Sequence, residues 1–191
     1  NYGTTLKHLQ VVIDKDTTKG YESCTALGCA VKVEGTLVKA VNGEGVEINA
    51  SDVVLLGDCP SDYPLQKKRH TMEYLRTIPH LRVRTNTFNA MLRVRSKLSA
   101  AIHRYFQEHD YVYVHTPIIT GSDCEGAGEI FRVTTHDWND TAKTAAEYYE
   151  QDFFGQKAGL TVSGQLEGEV AAMAMGKIYT FGPTFRAENS N

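Results

Sequence analysis

The chain lacks the features that mark several large classes of protein. Its 191 residues contain no apolar run of membrane-spanning length, and the first ten residues, NYGTTLKHLQ, lack the apolar stretch of a signal peptide. The histidines show no HxxxH spacing, and the four cysteines form no CxxC pair: Cys24, Cys29, Cys59 and Cys124. We therefore expect no metal ligands, no membrane partner and a cytoplasmic location with reduced thiols.

The net charge is small, but the charged residues are unevenly distributed. The net charge is −3, yet residues 63–107 hold ten basic residues and one acid, a net +9 that leaves −12 for the rest. Such a band is typical of a surface that faces a polyanion, because phosphate contacts depend on local positive charge. A solvated helix face that pairs with acids elsewhere explains the band equally well.

The first 57 residues predict a small antiparallel β unit. Residues 5–14, 28–41 and 46–57 are rich in β-branched residues and partly alternate, and the NGEG turn at 42–45 predicts a hairpin. Gly35 predicts a bend within the second strand. Strands of this size close naturally into a short barrel. Residues 58–69 read as a linker.

The remainder predicts an α+β domain built on an antiparallel sheet, because its helices and strands do not alternate as βαβ units. A short helix at 71–78 ends at Pro79, and a long one runs from Thr85 to about His109. Strands follow near 111–117, 129–134 and 160–165, then a helix at 165–175 and one or two strands at 177–188. Residues 136–154 read as an irregular surface excursion.

Three polar stretches stand out when they are taken together. SDCEGAGEIF (122–131) and LTVSGQLEGE (160–169) place acids, a serine and an amide beside predicted strands. FRAEN (185–189) places Arg186 and Glu188 on one face of a predicted strand, since alternate side chains point the same way. Short polar side chains on rigid strands suit a small zwitterion next to a polyphosphate.

These stretches resemble the class II aminoacyl-tRNA synthetases of the aspartyl/asparaginyl/lysyl subclass, and within it the asparaginyl members. YFQEHDYVYVHTPIIT (105–120) resembles motif 1 and ends its strand at Pro117; YTFGPTFRAENSN (179–191) looks like motif 2. The resemblance implies an incomplete N-terminal OB-fold barrel that binds the anticodon (1–57), a hinge (58–70) and part of a class II catalytic domain (71–191). It also implies that motif 3 and the first OB strand lie outside this chain, so the chain alone is expected to be inactive.

The activity implied is that of a ligase. The asparagine carboxylate attacks the α-phosphate of ATP, which gives asparaginyl-adenylate and releases pyrophosphate, and the acyl group is then transferred to tRNA(Asn). ATP and Mg²⁺ are the expected cofactors, with the Mg²⁺ ligands mostly outside the chain. The expected partners are L-asparagine, tRNA(Asn) and a second copy of the chain bound through motif 1.

The resemblance assigns roles to individual residues. Arg186 is the expected catalytic residue, bridging the α-phosphate and the amino-acid carboxylate, and Glu188 is expected at the adenine amine. Amino-acid contacts are expected from Glu125, Ser163, Gln165 and Glu169. Aspartyl relatives carry a lysine where this chain has Gly168, which favours asparagine over aspartate because a buried carboxylate needs a cation.

tRNA contacts are expected from the OB unit and the hinge. Gln10 matches the strand residue that reads the middle anticodon base, although a core glutamine explains it too. Lys7, Lys67 and Lys68 are candidate phosphate contacts. Three other functions are alternatives: a non-catalytic OB module that binds nucleic acid, an aspartyl-tRNA synthetase that does not discriminate, and a synthetase-like amidotransferase that makes asparagine from aspartate. The OB unit and the missing lysine disfavour the last.

Overall fold

The computed structural model describes residues 3–24, 26–41, 43, 45–124, 126, 130–137 and 144–188. It is α+β, as the sequence predicted, and it divides into two compact units, Asn1–Ser96 and Lys97–Asn191. Each unit is described by itself. The predicted division at residues 57 and 70 remains a prediction.

The first unit contains one three-stranded sheet. Its strands are β1 (Gln10–Val12), β2 (Ala30–Lys39) and β3 (Val46–Gly57), in the order β1-β3-β2. β2 and β3 form the predicted antiparallel hairpin, and their register shifts between Glu34 and Gly35, at the predicted bend. Gly43 and Gly45 carry the positive φ angles of the turn, while Asn42 and Glu44 lie outside the described residues.

β1 differs from the prediction in length and direction. It spans three residues instead of ten and runs parallel to β3, so the sheet is mixed and not wholly antiparallel. The chain turns back at Asp14, whose carbonyl accepts from the Thr18 N–H at 2.8 Å, and the buried Thr18 hydroxyl donates to the Ala50 carbonyl at 2.8 Å. Among the described residues the three strands do not close into a barrel.

Three helices follow the linker. α1 (Met72–Thr77) begins at Thr71, whose hydroxyl accepts from the Tyr74 N–H at 3.2 Å. Pro79 does not merely end that helix: it begins α2 (Pro79–Arg82), because proline fits a first helical turn. α3 (Asn86–Glu108) confirms the predicted long helix. It ends where Asp110 adopts φ 62° and the Tyr111 N–H donates to the Phe106 carbonyl at 3.0 Å.

The second unit has two small sheets. β4 (Val112–Tyr113) pairs in parallel with β8 (Ile178–Tyr179), which corrects the prediction of a purely antiparallel sheet. β5 (Ile119–Thr120), β6 (Arg132–Val133) and β7 (Ala158–Leu160) form an antiparallel sheet in the order β5-β7-β6. α5 (Gln165–Met175) has the predicted bounds.

Two local predictions in this unit are wrong. The stretch expected to be irregular contains α4 (Ala145–Glu150), which Thr144 caps through the Glu147 N–H. No regular strand follows β8 within residues 180–188. Pro183 has no N–H to donate to a ladder, and the Phe185 N–H makes a single bond, to the Thr161 carbonyl. In the described part of the chain, no helix is both long and apolar enough to cross a membrane.

Candidate active site

The turn between β7 and α5 is built by its own hydroxyl groups. The Thr161 N–H donates to the Ile118 carbonyl at 2.8 Å, and the Thr161 hydroxyl donates to the Ser163 carbonyl at 2.6 Å. The Ser163 hydroxyl oxygen accepts from the Gln165 N–H at 3.1 Å, where α5 begins. The N-cap residue of α5 is Gly164, so Ser163 supports the start of the helix from the position before the cap, and local hydrogen bonds fix its position.

Gln165 and Glu169 meet on the exposed face of α5. They are four residues apart, and the Gln165 Nε2 atom donates to the Glu169 Oε1 atom at 2.8 Å. This bond fixes the amide orientation and leaves Oε1 of Gln165 as an acceptor. The structure thus brings these two predicted residues into direct contact, with a carboxylate and an amide side by side.

Gly168 lies on a different face of the same helix. It is buried, and a Cβ atom placed on it would lie 3.6 Å from Thr180 Cγ2 and 3.8 Å from Ile178 Cδ1. A side chain at this position would therefore point toward β8 and the residue after it. A longer side chain at this position would have to pass between α5 and that segment.

The segment that carries Arg186 and Glu188 lies beside the same turn. The Phe185 N–H donates to the Thr161 carbonyl at 2.9 Å. Phe185 directly precedes Arg186, and Thr161 lies two residues before Ser163 in the turn. Both side chains are exposed. Without a regular strand, their shared direction does not follow from strand alternation.

The third predicted stretch also comes close to this turn. Glu125 lies outside the described residues, but Cys124 Sγ is 4.0 Å from the Ser163 carbonyl oxygen. Further along, the Leu160 N–H donates to the Phe131 carbonyl at 2.9 Å. All three stretches singled out in the sequence therefore adjoin the turn at Thr161–Ser163.

Sequence reasoning missed the residues that hold these stretches in place. The Tyr113 hydroxyl donates to the Phe181 carbonyl at 3.0 Å, and the Tyr179 hydroxyl lies 2.8 Å from His103 Nδ1. The aromatic residues of YVYVH indicate a packed region, but nothing in the sequence identifies the residues that they contact. These contacts join residues that are 68 and 76 positions apart.

A buried carboxylate anchors the end of β6. Asp152 Oδ1 accepts from the Thr135 N–H at 2.9 Å, from the Thr135 hydroxyl at 2.7 Å and from the Phe153 N–H at 2.7 Å. These donors stabilise the charged form, the Thr135 N–H most, so the pKa of Asp152 is held well below its usual range. Nearby, the His136 ring stacks on Tyr148 at a tilt.

In the first unit, the predicted tRNA contacts are at the surface. Gln10 is exposed on β1 opposite Glu47 of β3, and Lys7 is exposed three residues earlier. Lys67 and Lys68 are exposed in the linker. No described hydrogen bond or ion pair joins the two pairs of residues.

A hollow of about 800 Å³ lies next to the linker lysines. Its walls include Lys68, Arg69, His70 and Arg84 together with the first residues of α3. Arg84 Nη1 donates to the Tyr63 hydroxyl at 3.1 Å. The hollow collects part of the basic band that the sequence showed, which is a fitting environment for phosphate groups.

The described residues supply no obvious metal centre. Across the parts of the chain that the structure describes, no three His, Cys, Asp or Glu side chains converge in a way that could hold an ion. The prediction that Mg²⁺ ligands lie mostly outside this chain remains a prediction.

Comparison with known proteins gives consistent matches. The family model described as tRNA synthetases class II (D, K and N) matches residues 71–191. An asparagine–tRNA ligase of Microcystis aeruginosa is 53% identical over 195 residues, and one of Geobacter sulfurreducens is 56% identical over 194 residues. Each match covers 100% of this chain and 42% of the relative. The chain thus spans about two fifths of the length of these relatives.

A solved structure has a similar fold. The asparaginyl-tRNA synthetase from Pyrococcus horikoshii complexed with asparaginyl-adenylate superimposes with a TM-score of 0.77 at 24% identity. The match covers 95% of this chain and 39% of that chain.

Proposed function

Since the chain belongs to the tRNA synthetases class II (D, K and N), as its motifs predicted, we propose that it is part of an asparagine–tRNA ligase. The full-length gene product activates asparagine with ATP and transfers it to tRNA(Asn). One observation carries the proposal: the stretches that contain Cys124, Ser163 and Phe185 adjoin a single turn. The names of the relatives, which match the entire chain, support asparagine as the amino acid.

Arg186 is the residue proposed to act on the reacting atoms. The asparagine carboxylate is already ionised at neutral pH, so the first step needs orientation and charge neutralisation at phosphorus more than a general base. A guanidinium fork can bind an α-phosphate oxygen and a carboxylate oxygen together. The bond from Phe185 to Thr161 supports this role, because it anchors the backbone next to Arg186.

The remaining contacts divide between nucleotide and amino acid. We assign Glu188 to the adenine amine and Glu125 to the substrate ammonium, both from the resemblance. Ser163 supports the amino-acid backbone from a turn that three hydrogen bonds fix. Mg²⁺, when bound, supplies additional positive charge to the phosphates from ligands that lie mostly elsewhere in the full-length protein.

The choice of asparagine rests on Gln165, Glu169 and Gly168. Asparagine and aspartate have nearly the same shape, so charge has to separate them. The Glu169 carboxylate repels a substrate carboxylate and can accept from a substrate amide. Gly168 supplies no cation, which leaves aspartate without a counter-ion.

The first unit is proposed to bind the tRNA. We assign residues 1–57 to a partial OB-fold, with Gln10 at the anticodon and Lys7 on the phosphate backbone. We assign residues 58–70 to the hinge, with Lys67 and Lys68 on the tRNA backbone; Lys68 lines a basic hollow. The exposed positions of all four side chains support these roles.

The full-length protein is proposed to be a homodimer that pairs through motif 1, which includes the end of α3. Apolar side chains along this helix are unusually exposed, including Val94 at 64% and Leu98 at 59%. Exposed apolar surface of this kind commonly marks an interface. Sedimentation of the full-length protein tests the assembly, and a concentration-independent monomer would refute it.

The test of function is asparagine-dependent exchange between ATP and pyrophosphate, measured on the full-length gene product. Arg186→Lys keeps the charge and removes the fork, so we expect a loss of about a hundredfold in kcat/KM. Arg76→Lys makes the same change on the exposed surface of α1 and should leave the rate unchanged. Absence of exchange in the wild type, or equal rates with aspartate, would overturn the assignment.

A further inference from the structure

β8 and the segment after it are held by contacts with neighbouring elements. The Val114 N–H donates to the Tyr179 carbonyl at 3.0 Å, and the Tyr179 hydroxyl lies 2.8 Å from His103 Nδ1. The Tyr113 hydroxyl donates to the Phe181 carbonyl at 3.0 Å. Beyond β8 the segment is held by this single hydroxyl group at Phe181 and, next to Arg186, by the Phe185 N–H bond to the Thr161 carbonyl.

The protons of this contact can be assigned from the bonding pattern. A phenol has one hydrogen, and a carbonyl oxygen only accepts, so the Tyr113 hydrogen points at Phe181. The Tyr113 oxygen is also 3.0 Å from His115 Nδ1. That nitrogen must then carry the hydrogen, which selects the Nδ1–H form of His115.

The same short segment also reaches the turn before α5. A Cβ atom on Gly164 would lie 2.6 Å from Thr116 Oγ1, so the backbone of Gly164 rests directly against Thr116. Residues 113–116 therefore contact both the chain that leads to Arg186 and the turn that carries Ser163 and Gln165.

We propose that Tyr113, oriented by a hydrogen bond from His115, is a positioning residue that fixes residues 181–188 against the Thr161–Gln165 turn. It is not among the residues proposed to contact the substrate. Its effect on catalysis rests on the proposed function, because it acts through Arg186, whereas its effect on the segment itself does not.

The first experiment measures the segment directly. Tyr113→Phe removes only the hydroxyl and keeps the ring that packs edge-on against His103. Hydrogen exchange of peptides from 181–188 in the full-length protein should quicken about fivefold, as expected for one lost hydrogen bond. Tyr111→Phe is the matched control, since its ring packs on Phe106 and its hydroxyl bonds to no described residue. Equal exchange in the two variants would overturn the proposal whether or not the enzyme is active.

The second experiment tests the donor. Asparagine at position 115 places an amide N–H near the site of Nδ1, whereas glutamine places it near Nε2. Hydrogen exchange of peptides from 181–188 should therefore be as slow in the His115→Asn variant as in the wild type. In the His115→Gln variant it should be as fast as in Tyr113→Phe. The reverse order would refute the assignment of the proton.

Activity then separates positioning from a merely structural role. In the exchange assay, Tyr113→Phe should lower kcat about fivefold while KM for asparagine changes less than about twofold, because a lost hydrogen bond displaces Arg186 without removing it. An unchanged kcat with faster hydrogen exchange would show that the segment does not position Arg186. A wild type without asparagine-dependent exchange would refute the proposed function, and the hydrogen-exchange result would still stand.

Discussion

Gly164 offers the sharpest test of how the turn is packed. It precedes α5 with φ −87° and ψ 20°, a conformation that alanine adopts without strain. A Cβ atom on Gly164 would nevertheless lie 2.6 Å from Thr116 Oγ1 and 3.1 Å from Thr116 Cγ2. Gly164 is also the N-cap of α5, where alanine is less favourable than glycine, so the steric cost of Gly164→Ala adds to a capping cost.

The magnitude follows from these distances. Carbon and oxygen atoms in van der Waals contact are about 3.4 Å apart or more, so Thr116 has to retreat by nearly an ångström. Overpacking of this kind costs about 1–3 kcal/mol. Gly168→Ala is the matched control, because its Cβ would meet Thr180 at an ordinary 3.6 Å. Inside a helix that change should stabilise the protein by about 0.5–1 kcal/mol.

The assay is denaturant unfolding of the full-length protein, combined with the exchange reaction. Gly164→Ala should lower both the free energy of unfolding and the rate of ATP–pyrophosphate exchange. Gly168→Ala should raise the free energy of unfolding. Adding Thr116→Ser to Gly164→Ala removes Cγ2 and should recover about 1 kcal/mol or less, since Oγ1 remains. If the two alanine variants are equally stable, the packing of Thr116 on Gly164 is wrong.

Three further predictions follow from the site and its surroundings. The melting-temperature difference between wild type and Asp152→Asn should be largest above pH 5 and shrink below about pH 4, where unfolded carboxyl groups bind protons, because the native pKa is depressed. Gly168→Lys should reduce the preference for asparagine over aspartate in the exchange assay about tenfold, and Gly168→Met, of similar length but uncharged, should not. Replacing both Lys67 and Lys68 with Glu should weaken tRNA binding and lower its salt slope by about two.

Each of these has an outcome that contradicts it. A melting difference for Asp152→Asn that is constant from pH 7 to pH 3 would show that the carboxylate does not bind Thr135 in solution. Equal loss of selectivity in Gly168→Lys and Gly168→Met would trace the effect to packing. An unchanged salt slope would place the tRNA away from the linker.

Local patterns predicted the elements whose stability is local. The apolar spacing from Phe88 to Phe106 predicted α3, and the polar start of α5 marked its first residue. The NGEG turn predicted the β2–β3 hairpin because glycine accepts positive φ. α4 was missed although its signal was present: the hydroxyl of Thr144 and the carboxylate of Glu147 form a capping pair.

Elements that depend on distant partners were not predictable in this way. β1 pairs with β3 in the parallel direction. That direction depends on which strand lies beside β1, and nothing within residues 5–14 specifies it. Residues 180–188 alternate like a strand, but a strand needs a ladder, and Phe185 makes one bond to Thr161. Strand propensity is a property of the residue itself, whereas strand pairing depends on which other segments of the chain lie next to it.

The same distinction separates the two kinds of residue in the candidate site. The residues proposed to contact the substrate lie in short contiguous stretches, because each stretch forms one turn or one strand end. Their residue types alone indicate their chemistry. The residues that hold the stretches together act through single hydroxyl groups across 68 to 76 positions of sequence. Tyrosine and histidine at such positions are indistinguishable in sequence from ordinary core residues. It follows that deleting one oxygen at Tyr113 should move Arg186 more than deleting one at Tyr111, although sequence ranks the two tyrosines alike.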